Sequence, residues 1–205
     1  MRLPGPRNTL CGAPSSGCTE PARDSSANAI NDSGVVVGAI PGNLSNFVFS
    51  QPVKWDLNKQ GEATVLPLPD YGTCCNLITG IAHGINAQGD VVGVVFVKEP
   101  GSLGAANGYA LLWRASGGAP IVLDKGEGAL QAEAWAINDH GVIVGTASRP
   151  GAILFPGDTG NTAVKWSAAG EFSRLHDLTQ PNSEARAING SGTIVGQQGS
   201  RAVQF

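Results

Sequence analysis

The sequence predicts an all-β, propeller-like array of about four repeats, each of four short antiparallel strands, with the last repeat incomplete. Three observations predict it. A twelve-residue core, Ala-x-[Ala/Gly]-Ile-Asn-x-x-Gly-x-[Val/Ile]-Val-Gly, occurs four times. An aromatic-tipped apolar element follows each copy. The chain holds 29 glycines in 205 residues while only 14% of it is charged. That is a turn-rich and charge-poor composition by the standard of globular chains.

The core copies run Ala27–Gly38, Ala82–Gly93, Ala134–Gly145 and Ala185–Gly196. In each, the residues up to Ile-Asn read as a first strand, A, and the Val-rich run as a second, B. Asn31, Asn86, Asn138 and Asn189 sit where strand A ends. Gly34, Gly89, Gly141 and Gly192 follow three residues later. An Asn side chain that bonds nearby backbone, followed by a Gly free to take positive φ, makes a tight A–B hairpin. Turn formation is therefore the reading preferred for these asparagines over a ring of ligands. Asp32 and Asp139 follow two of them. Ala87 and Gly190 stand at the matching places, so a symmetric calcium site, which needs six or more oxygens, is not expected.

The third strand, C, reads Pro52-Val53-Lys54-Trp55, Ala110-Leu111-Leu112-Trp113, Ala163-Val164-Lys165-Trp166 and Ala202-Val203-Gln204-Phe205. Aromatics at a fixed strand position are expected to fill the core between sheets rather than to stack sugars. A fourth strand, D, is expected over Ala63 to Leu68, Pro120 to Leu123 and Phe172 to Leu178. Periods of this length with four strands each mark propeller blades. The repeats span about 26–69, 80–124, 132–178 and 184–205. Residues 1–25 form a loop-like segment that bridges Cys11 to Cys18 or lends a closing strand from residues 8–11. The other possibility is an open or truncated array, a piece of a larger ring whose remaining blades are absent.

The repeated core with its Ala-φ-φ-Trp partner resembles the HAF family of extracellular repeat proteins over residues 22–205. Val-Lys-Trp or Leu-Leu-Trp stands where that family's His-Ala-Phe is found. The resemblance implies an extracellular or envelope-associated repeat domain and brings no catalytic residues. Cys11, Cys18, Cys74 and Cys75 make an even count without a CxxC pair, which fits either disulfides in an oxidising compartment or free thiols. The start, Met1-Arg2-Leu3-Pro4-Gly5-Pro6, has no apolar stretch of signal-peptide type, so the chain either does not take that route or lacks its leader here.

The formal net charge is −3, which suggests no nucleic-acid partner. No apolar run is long enough for a membrane helix. His83, His140 and His176 have no metal-ligand spacing, and no nucleophile elbow or phosphate loop occurs. No metal, cofactor or catalytic residue is therefore assigned. One position inside strand A differs in every copy: Asn28, His83, Trp135 and Arg186. In a propeller, strand A is innermost, and these side chains would ring the channel mouth as a polar and aromatic binding site for a protein or carbohydrate. The B–C loops, about 39–51, 96–108 and 146–162, also vary. The expected function is a non-catalytic recognition or scaffold module. The alternatives are a propeller-type glycan hydrolase or lyase, with Glu133 and Glu184 as its only paired carboxylates, and a structural fragment without a ligand.

Overall fold

A computed structural model describes residues 25–42, 48–59, 63–70, 77–98, 106–148, 160–176 and 182–205. The four cysteines, the segment 8–11 and most of the B–C loop residues lie outside the described residues.

Strands account for 59% of the structure. The only helical piece among the described residues is the single 3-10 turn Leu57–Lys59. The architecture is therefore all-β, and no sheet among the described residues closes into a barrel. No helix among the described residues is long and apolar enough to cross a membrane.

Among the described residues, fifteen strands run as four antiparallel meanders. The first comprises β1 (Ser26–Ile30), β2 (Val35–Pro41), β3 (Val48–Asp56) and β4 (Ala63–Val65). The second comprises β5 (Leu77–Ile85), β6 (Val91–Lys98), β7 (Asn107–Trp113) and β8 (Ile121–Val122). The third comprises β9 (Ala132–Ile137), β10 (Ile143–Ser148), β11 (Asn161–Trp166) and β12 (Phe172–Arg174). The fourth has three strands, β13 (Ser183–Ile188), β14 (Ile194–Gln198) and β15 (Arg201–Gln204). A short parallel pairing of β3 with β5 joins the first two meanders into one eight-stranded sheet. The others form sheets of four and three strands.

The A–B hairpins follow the turn chemistry of the sequence. Gly34, Gly89, Gly141 and Gly192 all have φ between 77° and 87°. Each of their N–H groups donates to the carbonyl of the Asn three residues earlier. The Asn side chain reaches farther than a two-residue Asx turn. Asn31 Oδ1 accepts from Val35 N, Asn86 Oδ1 from Asp90 N, Asn138 Oδ1 from Val142 N and Asn189 Oδ1 from Thr193 N.

The D strands are shorter than their apolar runs. Each is followed by a leucine that turns inward. Leu66 and Leu123 are buried, and the backbone N–H of Leu66, Leu123 and Leu175 bonds a strand-C carbonyl.

The core lies mainly between consecutive meanders. Val37 packs with Ala82, Val91, Leu111 and Trp113. Val92 packs with Ala134, Ile143 and Trp166. Val144 packs with Ala163, Ala185 and Ile194. Trp55 and Trp166 are fully buried and Trp113 is 3% exposed. The three strand-C tryptophans are thus core residues, and Phe205 is half-buried against the last cluster. Trp113 Nε1 donates to Pro67 O and Trp166 Nε1 to Asp124 O, both at 2.6 Å, which ties each indole to the preceding meander.

Candidate functional site

The four side chains that differ between the sequence copies share one backbone device. Every strand A carries a β-bulge against its strand B. Ala27 pairs Gly38 and Ala29 pairs Val37, leaving Asn28 over. The same shift leaves over His83 between Ala82 and Gly84, Trp135 between Ala134 and Ala136, and Arg186 between Ala185 and Ala187. A bulge inserts one unpaired residue and re-aims its side chain. The four candidate residues are those four.

The bulge also explains the last glycine of each core. A Cβ on Gly38, Gly93, Gly145 or Gly196 would fall inside contact distance of the carbonyl oxygen of Ser26, Ile81, Glu133 or Glu184. The strand-A backbone is folded over strand B at that point, and only glycine fits beneath it. Alanines beside the bulge keep the next sheet close, with Ala82, Ala134 and Ala185 each buried to 1% exposure or less.

The extra side chains form a row from meander to meander. The His83 and Trp135 rings stack with centroids 4.3 Å apart. The Arg186 guanidinium lies 4.1 Å from the Trp135 ring centroid, in cation–π contact. Arg186 also pairs with Glu184. Asn28 ends the row differently. It is too short to stack, and its Nδ2 donates to Ala82 O at 2.8 Å. Next to it a groove of about 510 Å³ is lined by Ser26, Ala27, Asn28, Ile81, His83 and Trp135.

The electrostatics of the row are set by burial. His83 is pushed down to about 4 by desolvation and then by the Arg186 charge, so its imidazole is neutral at pH 7. Burial raises the Glu133 carboxyl. Arg186 pulls it back down and Glu184 adds to the rise. His83 Nε2 and Trp135 Nε1 are buried and make no hydrogen bond. Unpaired buried polar atoms cost free energy, so stability alone does not account for this choice of side chains.

A second set of contacts, which sequence reasoning missed, runs through the turn asparagines. Asn31 Nδ2 donates to Asn86 O at 3.0 Å, Asn86 Nδ2 to Asn138 O at 3.3 Å and Asn138 Nδ2 to Asn189 O at 3.2 Å. Each of these three asparagines closes its own turn through Oδ1 and grips the next turn through Nδ2. Asp139 adds a cross-link by accepting from Ala87 N at 2.8 Å. The signal was present as the invariance of Asn among the copies, but turn chemistry already accounted for it.

No protein-family model matches this chain, and no curated protein matches its sequence.

Proposed function

We propose that this chain is a propeller-like, non-catalytic recognition module of the cell exterior or envelope, binding through the row Asn28, His83, Trp135 and Arg186. The observation that carries the reading is the placement of all four differing residues on equivalent bulges. The strand-A alanines, the turn Asn and Gly and the closing Gly recur from copy to copy, and the residue that differs in every copy inside strand A is the one a bulge re-aims. The propeller-like arrangement is supported by residues of all four A–B turns, among them Asn31, Asn86, Asn138 and Gly190, which line one shared hollow of about 210 Å³. Innermost strands disposed about one axis would produce that convergence. The exterior location rests on the likeness of the repeated core to HAF repeats.

The groove beside Asn28 and His83 suits an uncharged, hydroxyl-bearing ligand. Asn28 holds its amide by donating to Ala82 O, which leaves Oδ1 to accept from a ligand hydroxyl. His83 offers a neutral ring edge and Arg186 a fixed donor set farther along the row. A carbohydrate meets these requirements, and a polar protein loop is the competing ligand. Screening the full chain against a glycan array, then measuring the best binder by calorimetry, tests the reading. Trp135→Ala combined with Arg186→Ala is expected to abolish binding while leaving the far-UV circular dichroism unchanged. Undiminished affinity in the double variant would contradict it.

A glycan-acting hydrolase or lyase is the second reading, and one observation favours it. Burial holds the Glu133 carboxyl towards its protonated form, with Glu184 adding to the rise, and a raised carboxyl is what the general acid of sugar chemistry needs. Turnover of a bound glycan, rather than binding alone, separates the two.

A further inference from the structure

Three junctions join successive meanders, and all three use the same parts. A strand-B valine of one meander (Val37, Val92 or Val144) is fully buried under the bulge alanine of the next (Ala82, Ala134 or Ala185). The turn Asn of the first donates its amide to the turn carbonyl of the second. Among the described residues, the first and the fourth meander each carry one uncovered half of this junction.

Val195 holds the place of Val37, Val92 and Val144 but is 45% exposed. At the opposite end Ala27, matching the three buried alanines, is exposed. Ile30 is 60% exposed where its counterpart Ile137 is 7%. Asn189 is exposed, with its Oδ1 engaged by Ser191 and Thr193 in its own turn. The Asn31 carbonyl accepts from Gly34 N, whereas those of Asn86, Asn138 and Asn189 accept in addition from the preceding Asn amide. Along β14 and β15 a groove of about 490 Å³ is lined by Arg186, Val195, Gly196, Gln197, Ala202 and Val203, among others.

We propose that this groove takes strand β1 of a second copy of the chain, so that copies associate head to tail. The occupant is a second copy because the chain carries, on its other end, the complement that its own junctions use three times: a small bulge alanine, an isoleucine and a turn carbonyl. Val195 would be covered by the incoming Ala27, and the Asn189 amide would donate to the incoming Asn31 carbonyl. Two unlike surfaces meet in such a contact, so it adds copies until a ring closes or an open filament grows.

Sedimentation velocity of the full chain across a concentration series, under reducing conditions so that thiols cannot cross-link it, reads the association directly. Wild type is expected to shift to larger species as concentration rises. Val195→Glu blocks one end and Ala27→Glu the other, because each buries a charge in the contact. Both substitutions fall on exposed residues, and circular dichroism checks the fold. Each variant alone is expected to stay monomeric at concentrations about tenfold above those at which wild type associates. An equimolar mixture is expected to form heterodimers and nothing larger, since one good end remains on each partner. A wild type that is monomeric throughout overturns the proposal, whether its two ends cover each other within one copy or stay bare. Association that survives in either single variant overturns it as well.

Discussion

At the scale of the residue, the same Asn does unequal work along the array. Asn86 is 4% exposed and Asn138 is 5% exposed. Each bonds its own turn through Oδ1 and the next turn through Nδ2. Removing the Asn86 amide strands the half-buried N–H of Asp90 and takes a donor from the O of buried Asn138. Leaving a buried group unsatisfied costs about 1–3 kcal/mol. Asn189 is solvated and closes only its own turn. Urea unfolding of Asn86→Ala is therefore expected to show a loss of about 2 kcal/mol and Asn189→Ala less than about 1 kcal/mol. Equal losses would mean that the Nδ2 ladder carries no stability.

At the scale of the element, most of the strand order was legible in the sequence, and the reason is local. The A–B turn is dictated by Asn and a positive-φ Gly within four residues, strand B by its Val run, and strand C by its terminal aromatic. The D strands read too long in the sequence because Leu66 and Leu123 look like strand residues in a linear apolar run, whereas each still bonds strand C through its N–H and turns its side chain into the core just past the end of the strand. The bulge was not legible as a bulge. Its trace was the pairing of Ala-x-Ala/Gly in strand A with the closing Gly of strand B, and each half has an ordinary local explanation. Only the register shows that Asn28, His83, Trp135 and Arg186 are extra residues. The candidate site was found from its variation among copies, and the bulge supplies the physical cause. Gly145→Ala places a methyl against the Glu133 carbonyl and is expected to cost about 1–3 kcal/mol or more as overpacking. Gly190→Ala meets no atom nearby and serves as the control with little change. A stable, wild-type-like Gly145→Ala in thermal melts would show that the bulge is not held closed over strand B.

At the scale of the whole molecule, the row couples three meanders into one electrostatic unit, and that coupling has a pH signature. Folding holds the His83 imidazole neutral down to about pH 4, while the unfolded chain takes up that proton from its ordinary pKa of 6.5. The unfolded state binds more protons in that interval, so the His83 contribution is fully present above pH 6.5 and is lost as pH falls towards 4. Glu133 acts in the opposite sense, because its folded pKa is raised by burial. The comparison that isolates His83 is therefore wild type against His83→Gln at pH 7 and pH 4.5. The variant is expected to lose less stability between the two than wild type does. An identical loss would remove His83 from the account. In the proposed function, four equivalent bulges aim one recognition row. Its most direct test is backbone and side-chain NMR of the labelled chain titrated with the best glycan from the array. The account predicts shifts concentrated on Asn28, His83, Trp135 and Arg186. Shifts confined to the B–C loops would contradict it, as would shifts spread without regard to the row.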